Sequence, residues 1–190
     1  MLKLYDYFRS SSSYRVRIGL HLKGLEFETI HVDLVKGEQR DKPYIDLNPQ
    51  GLVPLLVDGD FQLSQSPAIL EYLEEKYPQK SLLPEDMENR AYVRQMAMII
   101  ASDIHPLNNL KVWKGYIGGV LKADDQQMKD WYAHWIHQGL QAYEKFLSTS
   151  GRMGTFTCGD TPTLADIHLL PQLYNARRFF VSIDAYPNIM

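Results

Sequence analysis

The stretch Val53-Pro54-Leu55-Leu56-Val57-Asp58-Gly59-Asp60-Phe61-Gln62-Leu63-Ser64-Gln65-Ser66-Pro67-Ala68-Ile69-Leu70-Glu71-Tyr72-Leu73 changes its apolar period midway. Val53–Val57 reads as a strand, Asp58-Gly59 as a hairpin turn and Phe61–Leu63 as the partner strand. Ser66 then suits a helix cap and Pro67 a first helical position, while Ile69, Leu73 and Tyr77 share one face. A proline opening a strand has no N–H for the ladder. A cis bond at Val53-Pro54 would turn the chain and present the Val53 backbone to an extended ligand; a trans proline at a sheet edge is the alternative.

Upstream, residues 2–6 (LKLYD) read as a short strand. Residues 14–23 show both two- and four-residue apolar spacing, and the serines ahead of them favour a capped helix. Lys23-Gly24 closes it, 26–32 read as a second strand, and 38–47 as a helix ending before Asn48-Pro49. The order to Tyr77 is β-α-β-α-β-β-α, an α/β unit.

Residues 78–86 carry two prolines and read as a linker, and the remainder reads as helical. Val93, Met96, Ile100 and Leu107 keep helical spacing, with a kink expected at Pro106. Residues 126–147 set Trp131, Trp135, Gly139, Tyr143 and Leu147 on one stripe, and both tryptophans are expected in the core. Thr163-Leu164-Ala165-Asp166 has the form of a capping box opening a helix to about Arg177, with Leu164, Ile167, Leu170 and Leu173 inward. The expected fold class is α/β plus all-α, with domains at 1–79 and 87–190.

With 45% apolar and 23% charged residues the chain has an ordinary globular composition. A net charge of -3 argues against nucleic acid or an anionic membrane as partner. No apolar run is long enough to span a bilayer, and the features of a signal peptide are missing. Cys158 is the one cysteine, expected to be a buried small hydrophobe, so neither a disulfide framework nor a metal cluster is expected. A reducing cytoplasm is the simplest setting. Thiol chemistry here would use Cys158 or a thiol the protein borrows.

Four polar clusters stand out. Arg9-Ser10-Ser11-Ser12-Ser13-Tyr14-Arg15 lies between a strand and a helix, where backbone N–H groups point outward. A thiolate held there by those donors and by Arg9 or Arg15 would have its pKa drawn down from about 8.5. Read alone, the run is a cap followed by surface serines. Gln65-Ser66-Pro67 offers a helix N-terminus, a hydroxyl and an amide to a carboxylate, or Ser66 merely caps its helix. His105-Pro106-Leu107-Asn108-Asn109-Leu110-Lys111 is a polar patch on an apolar helix, without a partner at metal-ligand spacing. Arg177-Arg178 closes the capping-box helix, where cations suit the dipole.

The order of these signals is more specific than any one of them. The βαβαββα unit with its serine-rich first turn, Val-Pro before the third strand and Gln-Ser opening the third helix resembles the thioredoxin-like domain of glutathione transferases. YFRSSSSYRVRIGLHLKG, LNPQGLVPLL, QSPAILEYLEEKYP, DIHPLNNLKV and NARRF followed by YP resemble the zeta class, to which maleylacetoacetate and maleylpyruvate isomerases belong. Members often have Ser-Ser-Cys in the first turn where this chain has Ser12 third, so no protein thiol assists. Members also usually continue with a further helix after YP, and a segment beyond Met190 is therefore expected.

The resemblance implies glutathione as the borrowed thiol. It places Ser10, Ser11 and Ser12 around the sulfur, with Ser11 as the thiolate's donor and Arg9 beside it. It assigns the Val53 backbone to the cysteinyl part, Gln65 and Ser66 to the γ-glutamyl carboxylate, and Gln39 to the glycyl end. His105 and Asn109 match positions contacting the tripeptide or its network, and Arg9, Lys111 and Arg177 would meet a dicarboxylate substrate. The implied reaction is cis–trans isomerisation of maleylacetoacetate or maleylpyruvate by thiolate addition, rotation and elimination, in a cytoplasmic homodimer. A zeta-like transferase acting on α-halo acids and a non-catalytic binding module are the competing readings.

Overall fold

Leu2 and Leu4 are buried while Lys3 between them is exposed, the alternation that makes Leu2–Asp6 the strand β1 in the computed structural model, which describes residues 1–190. The chain divides into two units, Met1–Leu82 and Leu83–Met190.

In the first unit β1 is followed by α1 (Ser11–Lys23), β2 (Phe27–His31), a short 3-10 turn at Glu38–Arg40 and α2 (Lys42–Ile45). β3 (Leu55–Asp58), β4 (Phe61–Ser64) and α3 (Ser66–Lys76) complete it. The sheet order is β2-β1-β3-β4, with β1 parallel to β2 and antiparallel to β3. One core cluster gathers Leu2, Leu4, Val16, Leu20, Leu56, Ile69 and Leu73, and a second gathers Tyr7, Val32, Tyr44, Val53 and Leu55. Helices α1 and α3 meet closely at Gly19, where a Cβ would stand 2.3 Å from Leu70 Cδ2.

Several boundaries differ from expectation for identifiable reasons. α1 begins at Ser11, because Ser10 is the cap and its Oγ accepts the Ser13 N–H at 3.2 Å. Three of the serines are thus the first turn of the helix. Residues 38–47 form two separate turns, since Pro43 is tolerated only at a helix start and α2 opens anew at Lys42. β3 begins at Leu55, because Val53-Pro54 is cis and stands outside the ladder. Ser66 is the first residue of α3 and does not cap it; the flanking position is Gln65, at φ 73.

The second unit, taken by itself, starts with α4 (Met87–Met98), capped by Asp86. The helix widens to π-type bonding over Ile99–Ile104, with the His105 N–H reaching Ile100 O at 3.0 Å. A widened turn thus lies just ahead of Pro106, where the sequence leads one to expect an interrupted ladder. A second wide segment covers Lys111–Gly118, and α5 (Asp125–Ser150) and α6 (Leu164–Arg178) follow, each opened by a capping box. Gly139 of α5 admits Ile104, whose Cδ1 would lie 2.3 Å from an added Cβ.

Along α5 it is Tyr132 and Ile136 that are fully buried, together with Gly139, Leu140, Tyr143 and Leu147. Gly139, Tyr143 and Leu147 of the expected stripe are in the core, but Trp131 and Trp135 are half-buried, each one position ahead of a fully buried residue, and Trp131 Nε1 donates to Leu107 O at 3.0 Å. In α6 the inward residues include Leu164, Ile167, His168 and Pro171, whereas Leu170 is half exposed. Cys158 is buried, and burial pushes its thiol pKa up. No helix is long and apolar enough to cross a membrane.

Candidate active site

Strand register brings three separate motifs to one end of the first unit's sheet. Tyr5 pairs with Leu55, and Leu55 pairs with Ser64. The chain leaving β1 toward the serines, the Val53-Pro54 bond entering β3 and the Gln65-Ser66 step leaving β4 therefore share that edge. It is the end at which α1 and α3 both present their N-termini, with unbonded N–H groups and partial positive charge.

Each motif is held by its own scaffold. The turn into α1 is braced by Arg17, whose Nη1 lies 2.6 Å from both carboxylate oxygens of buried Asp6. Arg17 Nη2 also donates to Phe8 O at 3.2 Å, so a strand end and the turn are tied to one guanidinium. Ser10 is half-buried as the cap, and Ser11 and Ser12 are each 8% exposed. Arg9 is exposed and lies over the Phe8 ring at 5.1 Å.

Ahead of the cis bond, Leu52 O accepts from Tyr44 Oη at 2.6 Å and Asn48 Nδ2 at 2.7 Å. Burial pushes the Tyr44 hydroxyl pKa up to about 12, so it stays a donor. That pair fixes the loop and leaves Val53 beside, but not in, the ladder. Gln39 is buried, its Oε1 is without a partner, and its backbone oxygen would lie 3.0 Å from a Cβ at Gly51. Gln65, in a backbone region that L-residues rarely adopt, turns its Nε2 to Gln50 Oε1 at 2.7 Å.

Arg15 follows the serines in sequence, but its guanidinium reaches α3. Nη1 donates to Ser66 Oγ at 3.4 Å, while Nε and Nη2 have no partner. Arg15 is 1% exposed, and burial lowers its pKa to about 9, which leaves it charged at neutral pH. Ser13, also outside the expected set, is fully buried with an unpartnered hydroxyl.

The remaining candidates belong to the second unit. His105 and Asn109 are half-buried, and Asn109 Oδ1 accepts the Lys111 N–H at 2.9 Å. Arg177 and Arg178 are both exposed at the end of α6. Phe179, next in the chain, stacks 4.1 Å from the Tyr132 ring and 5.2 Å from Trp113, so the end of α6 packs on the segment that Lys111 opens. Arg178 lies over Phe179 at 5.4 Å.

A helix-flanked mixed sheet whose cis-proline, serine turn and helix N-terminus converge on one edge is a glutathione-transferase arrangement. The family model described as the glutathione S-transferase N-terminal domain matches residues 1–75. Maleylacetoacetate isomerase of Pseudomonas aeruginosa is 48% identical, across 99% of this chain and 87% of the relative. A holo maleylpyruvate isomerase, a bacterial glutathione-S-transferase of the zeta class, superposes with TM-score 0.95 at 45% identity, covering 98% of this chain and 88% of that one. A maleylacetoacetate isomerase from Methylobacterium extorquens, with bound malonate and glutathione, gives TM-score 0.93 at 36% identity, covering 98% and 87%. The chain belongs to the zeta-class glutathione transferase family, that of the maleylacetoacetate and maleylpyruvate isomerases.

Proposed function

We propose that this protein is a glutathione-dependent cis–trans isomerase acting on maleylacetoacetate or maleylpyruvate. The likeness to isomerases of that name over nearly the whole chain carries the reading. The first unit's own chemistry fits the tripeptide. Arg15 Nε and Nη2 and Gln39 Oε1 are buried and unpartnered, and the Val53 backbone stands outside the ladder.

Bound glutathione supplies a thiolate that adds to the cis double bond and leaves after rotation, so it is not consumed. The chain's part is to hold and orient. Ser66 with the N-terminus of α3 receives the γ-glutamyl carboxylate, Gln65 its neighbouring polar atoms, the Val53 backbone the cysteinyl part and Gln39 the glycyl end. Ser11, with Ser10 and Ser12 beside it, donates to the sulfur and keeps it ionised. His105 and Asn109 complete the tripeptide's surroundings. Arg9, Lys111 and Arg177 supply cations for the substrate carboxylates and for the enolate charge that develops on addition. A cytoplasmic homodimer is part of the same proposal.

The test follows cis-enone absorbance with substoichiometric glutathione. Many turnovers with the free thiol preserved support the reading. Thiol loss equal to product formed contradicts it and points to conjugation.

A further inference from the structure

We propose that Arg15 is a positioning residue for the carboxylate site at the N-terminus of α3: by donating into the Ser66 oxygen it turns the Ser66 hydroxyl proton outward, toward the ligand. The proposal rests on the reading above that this site takes the γ-glutamyl α-carboxylate of glutathione.

A guanidinium only donates, whereas a serine hydroxyl has one proton and two lone pairs. In the Arg15–Ser66 pair the serine oxygen is therefore the acceptor, and its proton is committed elsewhere. Ser66 is buried, and it is the first helical residue of α3 without acting as the cap. The first backbone bond of the helix runs from the Ile69 N–H to Gln65 O, so the Ser66 and Ala68 N–H groups precede the ladder, and Pro67 has none. Hydroxyl, N–H groups and helix charge thus face the same incoming anion, with a cation directly behind.

The rest of the unit shows that Arg15 is not an ordinary structural arginine. Lys23 is saturated by Glu74, Tyr77 O and Lys80 O, and Arg17 by Asp6 and Phe8 O. Arg15, more deeply buried than Arg17, has one long bond to a neutral hydroxyl and no carboxylate partner. A buried charge without a counter-ion is costly unless an anion arrives. The carboxylate at Ser66 is that anion, and it neutralises Arg15 through the hydroxyl between them.

Calorimetry on the folded protein tests this with two ligands: glutathione, and 4-aminobutyryl-cysteinyl-glycine, which lacks only the α-carboxylate. Arg15→Met should weaken glutathione about 10- to 30-fold, the range of a charge-assisted hydrogen bond, and alter the analogue by less than about 3-fold. Equal losses for both ligands, or none for either, overturn the proposal. If Arg15→Met does not fold, Arg15→Lys carries the same comparison: a loss of about 3- to 10-fold confined to glutathione supports the role, and a loss shared by both ligands overturns it. Equal affinity of the unaltered protein for the two ligands overturns the carboxylate assignment itself, and the Arg15 role with it.

Discussion

Lys23 Nζ lies 2.7 Å from Glu74 Oε2 with both side chains buried, joining the end of α1 to α3. Lys23 also donates to Tyr77 O and Lys80 O at 2.9 Å, and Glu74 accepts the Leu82 N–H at 2.9 Å and the Ser81 hydroxyl. The pair holds residues 77–82 onto the helices. Breaking one partner of a buried pair costs about 3–5 kcal/mol, so Glu74→Gln should lower unfolding free energy in urea by about that amount.

The same carboxylate predicts an acid limb. Burial alone would raise the Glu74 pKa, but Lys23, Ser81 and the Leu82 N–H outweigh it and hold it below the ordinary value. The unfolded state therefore takes up the proton first on acidification. Its contribution is complete above the ordinary pKa of 4.5 and is lost as pH falls through the lower folded value. Denaturation midpoints measured from pH 6 downward should fall less steeply for Glu74→Gln than for the unaltered protein, about in proportion to that one group.

Asp166 accepts the Thr157 N–H at 2.9 Å, the Thr163 N–H at 2.8 Å and the Thr163 hydroxyl. Asp166→Ala removes the N3 half of the α6 capping box, leaving Thr163 as the cap, and orphans the Thr163 and Thr157 N–H groups together. A loss of about 2–3 kcal/mol in unfolding free energy is expected, and Asp166→Asn should recover part of it.

Ser11→Ala should raise the pKa of the bound thiol by about one unit while leaving tripeptide affinity nearly intact. Thiolate absorbance of the glutathione complex against pH checks it. An unchanged titration moves the donor role to Ser10 or Ser12.

Arg177→Ala should raise the substrate KM at least about 10-fold with little change in glutathione affinity, as expected for a lost charge-assisted contact to a carboxylate. The converse pattern, weaker glutathione and an unchanged KM, removes Arg177 from the substrate side.

The βαβαββα order and the capping box at Thr163–Asp166 were legible because apolar period and cap chemistry are local. The π-type widening at Ile99–Ile104 was not, since Pro106 signals an interrupted ladder without saying how the preceding turn adapts. The α5 stripe was legible from Gly139 to Leu147 but not at Trp131 and Trp135, where Tyr132 and Ile136 fill the core instead. At the site, Ser66 read as a cap because nothing local discloses that Gln65 takes positive φ and Arg15 arrives from 51 positions earlier. Local sequence announced the motifs; only the Tyr5–Leu55–Ser64 register put them on one edge.

The proposed function requires glutathione to be returned unchanged after each turnover. Maleylacetoacetate and maleylpyruvate, each supplied in about 100-fold excess over glutathione, should one or the other be converted fully to the trans isomer, with the free thiol unchanged at the end. Conversion that stops at one equivalent per glutathione, or proceeds equally without it, would contradict the account.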